Sequence, residues 1–254
     1  MTTPDLNVTL VQPDIVWESP RENRHHVDAL LADSADTDLI VLPEMFSTGF
    51  SMHPEPIAEQ MSGATVAWMH ALADEKQCTV MGSLIIEEAG CYYNRLVVVD
   101  EQDNLAYYDK KYLFSFAGEN NAYTPGHERL RVNVKGWNIA PFICFDLRFP
   151  EWARNVDGQY DLAIYVASWP ANRRTHWQTL LQARAIENQA YVVGVNRVGV
   201  DGNGHEYVGD TMVIDALGEV LVHEMEKEQV VQYTMSYDAL NTIKETMPFL
   251  KEID

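Results

Sequence analysis

Short, almost wholly apolar segments recur along the chain, and several of them stop abruptly at a polar residue. Examples are 38–42, 138–143 and 162–167. An unbroken apolar run of this length indicates a strand that is buried on both faces, because a strand with one solvated face would alternate apolar and polar residues. A chain rich in such strands must cover both faces of each sheet, which constrains it to a layered fold.

The first part of the chain predicts alternating strands and helices. A strand over Leu6–Val11 is followed by Ser-Pro-Arg-Glu at 19–22, the pattern of a capping box with proline at the first helical position. After the strand at 38–42, apolar residues recur at helical spacing over Thr65–Lys76 and predict a second helix. The predicted order is therefore β-α-β-α.

The rest of the chain is richer in strands. Strands are predicted at Thr79–Ile86, Tyr92–Val99, Leu105–Tyr108, Leu130–Val134, Asn138–Ile143, Leu162–Ala167, Tyr191–Val195, Met212–Asp215 and Val230–Met235, with a helix at His176–Asn188. This pattern favours an α/β fold with two packed sheets and helices outside them. A doubly wound nucleotide-binding fold would need a glycine-rich first turn, which Gln-Pro-Asp at 12–14 does not supply. No linker divides the sequence, so residues 1–254 are expected to form a single domain.

Charge and cysteine content exclude several classes of protein. The formal net charge is −20, and such a field repels free nucleic acid and anionic membrane surfaces. The sequence begins without a basic segment followed by an apolar stretch, and no apolar run is long enough to cross a bilayer. Three cysteines without paired spacing argue against a disulfide framework. We therefore expect a soluble cytoplasmic protein with reduced thiols and no membrane or nucleic-acid partner.

Three of the predicted strands end at residues with reactive side chains. Cys144 follows an apolar strand directly and precedes a chain reversal, a position that suits a nucleophile. A thiol that attacks an amide needs a base to take its proton and a donor to stabilise the oxyanion. No histidine lies at a strand tip, but Glu44 does, and a buried carboxylate can act as a base. Lys110 can supply the cation, and the backbone N–H of Phe145 a second donor.

These segments together resemble the three signatures of the nitrilase superfamily of carbon–nitrogen hydrolases. They are Pro-Glu-Met-Phe at 43–46, Asp-Lys-x-x-Leu-Phe at 109–114 and Cys-Phe-Asp-Leu-Arg-Phe-Pro-Glu at 144–151. The resemblance implies that Glu44 is the general base, Lys110 the oxyanion cation and Cys144 the nucleophile. It also implies that Glu119 is a second acid near the lysine. The implied fold is a four-layer α-β-β-α sandwich, with two packed mixed sheets flanked by helices.

Two further phrases resemble the bacterial omega-amidase group of this superfamily. They are Tyr-Val-Ala-Ser-Trp-Pro-Ala at 165–171 and Asn-Arg-Val-Gly-Val-Asp-Gly-Asn-Gly at 196–204. The resemblance implies hydrolysis of 2-oxoglutaramate to 2-oxoglutarate and ammonia through a cysteine thioester. Tyr112 and Phe145 depart from the histidine and tyrosine that members often carry, and these changes bear on the polarity of the pocket. Another nitrilase-type activity, on an N-carbamoyl group or a deaminated-glutathione-like amide, stays open, as does a non-catalytic binding protein with the same fold.

The remaining expectations concern substrate contacts, structural roles and partners. Trp169 is expected to form a pocket wall and Arg173 to contact a substrate carboxylate, because a planar guanidinium suits that group. Arg148 and Glu151 are expected to pair with each other or with the backbone of the turn. Cys78 and Cys91 are expected to be buried structural residues. No spacing resembles a metal site, no cofactor is expected, and the resemblance implies a homodimer formed through the helix that follows Cys144 and the helix at 176–188.

Overall fold

The computed structural model describes residues 3–252, which form thirteen strands and six α-helices. The strands are β1 Leu6–Gln12, β2 Leu39–Val41, β3 Thr79–Glu88, β4 Cys91–Val99, β5 Leu105–Asp109, β6 Val132–Val134, β7 Trp137–Ile143, β8 Leu162–Val166, β9 Tyr191–Val195, β10 Val198–Val200, β11 Glu206–Ile214, β12 Val220–Met225 and β13 Gln229–Met235. The helices are α1 Pro20–Leu31, α2 Ala64–Lys76, α3 Glu119–Ala122, α4 Pro150–Ala153, α5 Arg174–Asn188 and α6 Tyr237–Thr246.

The strands form two mixed sheets. In the first sheet the order is β13-β1-β2-β3-β4-β5, with β1, β2 and β3 parallel and the outer pairs antiparallel. In the second sheet the order is β10-β11-β9-β8-β7-β6, and β12 also pairs with β11. There, β7, β8 and β9 are parallel and the flanking pairs are antiparallel. Each sheet therefore has three parallel strands at its centre, and the carboxyl ends of these strands lie at one edge of the sheet.

Three apolar layers hold the sheets and helices together. The central layer lies between the sheets and combines side chains of the first sheet, such as Leu10 and Val41, with side chains of the second, such as Ile164. The outer face of the first sheet packs against α1 and α2, and that of the second packs against α5 through Trp177 and neighbouring residues. The predicted four-layer α-β-β-α sandwich is confirmed, since both faces of each sheet are covered.

Most of the predicted elements are confirmed, and the start of α1 is the clearest difference. The hairpin around Lys135-Gly136 forms as predicted between β6 and β7. The prediction of a capping box at 19–22 was wrong, because the Ser19 side chain makes no cap hydrogen bond. Asn23 organises this turn instead: its side chain bonds both the N–H and the C=O of Val16 and the C=O of Ser47. Strands β10 and β12 and helix α6 were not predicted.

A buried carboxylate ties the two sheets together. Asp146 follows β7 in the second sheet, and it accepts a hydrogen bond of 2.7 Å from the hydroxyl of Tyr108 on β5 of the first sheet. The same carboxylate accepts the backbone N–H of Tyr112 at 2.9 Å and that of Ile143 at 3.0 Å. Asp146 therefore fixes the segment after Lys110 against the turn that carries Cys144.

Complete burial raises the pKa of Asp146 from 3.8 to about 6, although the donors from Tyr108, Tyr112 and Ile143 oppose the shift. Because the folded-state pKa lies above the unfolded value, the folded protein binds this proton more tightly than the unfolded chain. The stability that the protonated group contributes is fully present below about pH 4, and it is lost as the pH rises through about 6.

We expect Asp146→Asn to remove this titration. As the pH rises from about 4 to about 7, the free energy of unfolding of the parent protein should fall by up to about 3 kcal/mol more than that of the variant. Urea unfolding across this pH range measures the difference. Asp74→Asn, which removes an exposed carboxylate on α2, is the matched control. Parallel pH dependences for Asp146→Asn and the parent protein would contradict the prediction.

Candidate active site

The three reactive residues predicted from the sequence meet at the carboxyl ends of their strands. Glu44 lies shortly after β2, Lys110 immediately after β5 and Cys144 immediately after β7. Strands β2 and β5 run in the same direction in the first sheet, because two antiparallel pairings separate β3 from β5. Their ends face the end of β7 across the space between the sheets, where loops can place side chains on a rigid scaffold.

Lys110 lies between two carboxylates, and all three groups are fully buried. Its Nζ atom lies 2.8 Å from Oε1 of Glu44, and 3.0 and 2.9 Å from the two carboxylate oxygens of Glu119. Burial alone would lower the pKa of Lys110, but the charges of Glu119 and Glu44 raise it above its ordinary value. Burial raises the pKa of Glu119, Lys110 opposes this, and the charge of Glu44 adds to it. Lys110 is therefore a permanent cation in this site.

Further donors fix the two carboxylates. Oε2 of Glu44 accepts the backbone N–H of Ser168 at 2.8 Å, and Oε1 accepts the side-chain amide of Asn94 at 2.7 Å. The same amide donates to Oε1 of Glu119 at 3.1 Å, and the backbone N–H of Phe114 donates to Oε2 at 2.5 Å. A buried charge is tolerated when its lone pairs meet donors, and each of these carboxylates is satisfied in this way.

Cys144 stands on a strained turn at the base of a cavity. Its φ of 44° lies in the left-handed region, which is unfavourable for a residue with a side chain and which this chain otherwise uses at turns and helix ends, as at Gln77 and Lys135. Burial raises the pKa of the thiol well above its usual range, and the charge of Glu44 raises it further, while Lys110 opposes the shift. Burial and Glu44 thus both favour the protonated form of the thiol. Phe145 follows at the start of a 3₁₀ turn, where backbone N–H groups lack partners within the helix.

The cavity that reaches Cys144 has a volume of about 300 Å³. This is at the lower end of the range for small-molecule sites. Its walls combine aromatic side chains with basic groups. The cavity is lined by Trp17, Phe50, Met52, His53, Phe114, Ala117, Cys144, Phe145, Arg148, Ser168, Trp169, Pro170, Arg173, Asp201, Asn203, His205 and Tyr207. The cavity therefore suits a small ligand with an anionic end.

Trp169 and Arg173, predicted as pocket residues, both line the cavity. The Trp169 indole donates to the backbone oxygen of Arg173 at 2.9 Å, and the Arg173 guanidinium lies 5.2 Å from the Phe114 ring centroid. Arg148 lies in the same wall, 4.8 Å above the ring of Trp169 and 5.9 Å from that of Phe145. Two guanidinium groups thus rest on aromatic faces at the cavity.

The predicted pairing of Arg148 with Glu151 was wrong. The Arg148 guanidinium lies 3.1 Å from Nδ1 of His176, whereas the Glu151 carboxylate faces the hydroxyl of Tyr112 at 3.5 Å. The 3₁₀ turn after Cys144 directs Arg148 toward the cavity, and α4 directs Glu151 away from it. Burial and the neighbouring charge of Arg173 lower the pKa of Arg148.

Other residues singled out in the sequence lie outside the cavity. Lys111 lies near Nδ1 of His127 and the ring of Trp152, away from the buried carboxylates. Cys78 is buried as expected, but Cys91 is exposed at the start of β4, so its predicted burial was wrong. Beside Cys91 the chain makes the tight β3–β4 turn at Ala89-Gly90, which leaves no layer to cover it.

Sequence reasoning missed Asn94, Ser168 and Phe114 as parts of the site. Asn94 left a signal, since a polar amide within the apolar strand β4 must find hydrogen-bond partners once it is buried. Ser168 and Phe114 hold the carboxylates through backbone N–H groups, which every residue type except proline would provide. Contacts of this kind cannot be predicted from the identity of the residue.

The described part of the chain also bears on metal and membrane roles. Among residues 3–252, the side chain of Asp157 excepted, no group of three or more His, Cys, Asp or Glu side chains is placed to hold a metal ion. Within the same range, no helix combines the length and apolar character needed to span a bilayer.

Comparison with known proteins connects this geometry to a family. The sequence profile of the carbon–nitrogen hydrolase family matches residues 7–245. The omega-amidase YafV of Yersinia enterocolitica is 43% identical over 253 residues, which cover 98% of this chain and 97% of that protein. The 2-oxoglutaramate amidase of Bacillus subtilis is 28% identical, with 97% of this chain and 96% of that protein covered.

Solved structures agree with the sequence comparison. XC1258 of Xanthomonas campestris, described as a CN-hydrolase superfamily protein with an arsenic adduct in its active site, superposes with a TM-score of 0.96 at 43% identity, covering 98% of this chain and 97% of that one. Nit3 of Saccharomyces cerevisiae, a nitrilase superfamily member, has the same fold with a TM-score of 0.87 at 22% identity, covering 96% and 95%. The chain therefore belongs to the carbon–nitrogen hydrolase family of the nitrilase superfamily and is an enzyme of the hydrolase class.

Proposed function

We propose that this protein is an amidase for small ω-amido 2-oxo acids, which converts 2-oxoglutaramate to 2-oxoglutarate and ammonia through a thioester on Cys144. The observation that carries the proposal is the buried pair of Glu44 and Lys110 next to Cys144, which itself lines a small cavity. The names of the relatives, omega-amidase and 2-oxoglutaramate amidase, support the choice of substrate.

The first half of the proposed reaction forms the thioester. Glu44 takes the thiol proton as the sulfur of Cys144 bonds to the amide carbon, so no free thiolate has to exist beforehand. The oxyanion is stabilised by Nζ of Lys110 and the backbone N–H of Phe145. When the C–N bond breaks, the protonated Glu44 gives its proton to the nitrogen, which leaves as ammonia.

The second half returns the enzyme to its starting state. Glu44, again a carboxylate, takes a proton from water as the water oxygen attacks the thioester carbon. The C–S bond breaks, the carboxylic acid product leaves, and the proton on Glu44 returns to the sulfur. Glu119 holds Lys110 in place throughout, since it bonds the ammonium through both carboxylate oxygens.

The two guanidinium groups of the cavity support a substrate that ends in a carboxylate. Arg148 and Arg173 rest on aromatic rings, which leaves their N–H edges available to oxygen atoms. Arginine suits this task because its planar group can donate two parallel hydrogen bonds to one carboxylate. The apolar walls of Phe145 and Trp169 would cover the carbon chain between the two ends of the substrate.

Another hydrolase activity is compatible with the same residues. An N-carbamoyl or deaminated-glutathione-like amide would use the same nucleophile and base, and comparing kcat/KM across a panel of such amides with that for 2-oxoglutaramate would separate these activities. A non-catalytic binding protein would not need a carboxylate beside the thiol. The burial of Glu44 next to Cys144 therefore favours catalysis.

We also propose that the protein acts as a cytoplasmic homodimer. Helix α5 carries Ile186, which is 48% exposed and packs beside the turn at Gly218. Leu217 of this turn is 53% exposed. These apolar side chains next to α5 support an interface at this helix, the place expected from the sequence.

The thioester can be detected directly. We expect intact mass spectrometry of protein quenched during turnover of 2-oxoglutaramate to show one acyl adduct, mapped to Cys144. Cys144→Ala, which retains Cys78 and Cys91, should show none and should release no ammonia. Turnover without any adduct in the rapidly quenched protein would count against the covalent route, and ammonia release by Cys144→Ala would exclude it.

Lys110 and its neighbour give a second test. Lys110→Ala should lower kcat/KM by at least about 10²–10³-fold, because it removes an oxyanion donor and leaves two buried carboxylates without their cation. Lys111→Ala removes a cation one position away that lies outside the cavity, and it should change kcat/KM little. Steady-state kinetics measures both, with thermal unfolding to confirm the folded state. Equal activity of the two variants would refute the role assigned to Lys110.

The guanidinium groups give a third test. Arg173→Ala and Arg148→Ala should each raise KM for 2-oxoglutaramate by about 10–10²-fold, because each removes the binding free energy of a hydrogen bond to a charged group. KM for a neutral amide of similar length should change little. Arg21→Ala, on the exposed face of α1, is the control for loss of one positive charge. An unchanged KM for 2-oxoglutaramate in Arg173→Ala would remove that residue from the carboxylate site.

A further inference from the structure

We propose that Asn94, oriented by Ser83, is a positioning residue that holds the base Glu44 and the second acid Glu119 on Lys110. The inference rests on the proposed function, because it assigns a task in the same reaction. Asn94 does not line the cavity, so it acts through other residues and not on the substrate.

Asn94 contacts all three charged residues of the site. Its side-chain nitrogen donates to Oε1 of Glu44 at 2.7 Å and to Oε1 of Glu119 at 3.1 Å. Its backbone oxygen accepts the N–H of Lys110 at 3.0 Å. One fully buried residue thus fixes the backbone of the cation and the side chains of both anions.

Ser83 determines which way the Asn94 amide faces. The Ser83 hydroxyl accepts the backbone N–H of Met45 at 2.8 Å, so its own hydrogen is free to be donated. It donates to the amide oxygen of Asn94 at 2.9 Å. With the oxygen held there, only the NH₂ group can face the carboxylates.

Ser83 also fixes the turn that carries the base. Its backbone N–H donates to the oxygen of Pro43, and its backbone oxygen accepts the N–H of Phe46. The residues on both sides of Glu44 are therefore held by the same serine that orients Asn94. The hydrogen bonds from Met45 through Ser83 to Asn94 form one chain that ends on the two carboxylates.

A neutral amide suits this position better than a charged group. The buried site already holds Lys110 between Glu44 and Glu119. A second cation would add the cost of removing another charge from water, while an apolar residue would leave lone pairs of the two carboxyl groups unsatisfied. The amide supplies two donors and no net charge.

The test combines two substitutions on this chain. Asn94→Ala should lower kcat for 2-oxoglutaramate by about 10²-fold, as expected when a catalytic group is misplaced. Ser83→Ala, which touches neither carboxylate, should lower kcat about tenfold, the effect of one hydrogen bond. KM should be unchanged in both variants, because neither residue lines the cavity. The double variant should be slower than Asn94→Ala by clearly less than tenfold, because the effect of Ser83 passes mainly through Asn94 and only the bond to Met45 is independent of it.

The control is Thr9→Ala, which removes a buried hydroxyl from β1 of the same sheet, where it accepts a hydrogen bond from Gln232. It should keep the parental kcat. Effects of Ser83→Ala and Asn94→Ala that multiply in the double variant, or a parental kcat in both single variants, would overturn the inference. If thermal unfolding shows that Asn94→Ala does not fold, a parental kcat in Ser83→Ala is sufficient to overturn the inference.

A second readout separates this inference from the proposed function. Alkylation of Cys144 by iodoacetamide needs the proposed proton transfer to Glu44 but no hydrolysis of 2-oxoglutaramate, and peptide mass spectrometry separates it from alkylation of the exposed Cys91. A parent protein that is alkylated at Cys144 and does not hydrolyse 2-oxoglutaramate would refute the proposed substrate only. The inference then stands if Ser83→Ala and Asn94→Ala slow alkylation, and it fails if they react at the parental rate.

Discussion

The structure of the site depends on one ammonium group held between two carboxylates with no exposure to solvent. Removing charges from water costs several kcal/mol per ion, and the attraction between them repays this only when the geometry is good and the remaining lone pairs are satisfied. Here Lys110 lies within 3.0 Å of both Glu44 and Glu119. The backbone N–H groups of Ser168 and Phe114 complete the coordination of the two acids. The charges therefore stabilise one arrangement of the loops around them and disfavour others.

This arrangement spans both sheets, and so the scaffold has to keep them in register. Glu44 and Lys110 follow strands of the first sheet, whereas Ser168 and Cys144 follow strands of the second. The apolar layer between the sheets fixes their separation, and Asp146 joins them by polar contacts close to Cys144. A displacement of either sheet would separate Cys144 from Glu44. The proposed chemistry therefore requires rigidity at this edge, since a misplacement of about 1 Å can cost about 10²-fold in rate.

The sequence was sufficient to predict the outline of the fold and the reactive residues. It was not sufficient to predict most of the hydrogen bonds that hold those residues in place. Apolar runs predicted the buried strands, and Cys144 directly follows one of them. Glu44 and Lys110 lie one residue beyond such strands, and the resemblance of their motifs to the nitrilase signatures pointed to their roles. The contacts of Ser168 and Phe114 could not be predicted, because a backbone N–H is common to nearly all residues. The start of α1 shows a related limit. The residues at 19–22 fit the capping-box pattern, yet the Ser19 side chain makes no cap hydrogen bond. The side chain of Asn23 bonds to Val16 and Ser47 instead, so tertiary contacts outweighed the local preference.

The acidic composition and the basic cavity are compatible because charge acts over a short range in salt. At physiological ionic strength the screening length is about 8 Å, so surface carboxylates elsewhere contribute little at the cavity. Arg148 and Arg173 are held by the rings of Trp169 and Phe114, not by acidic side chains that would neutralise them. Two cations close together in a partly buried wall repel each other, and burial together with Arg173 lowers the pKa of Arg148. An anionic ligand would relieve this repulsion, which is why the proposed carboxylate substrate is compatible with a strongly negative protein.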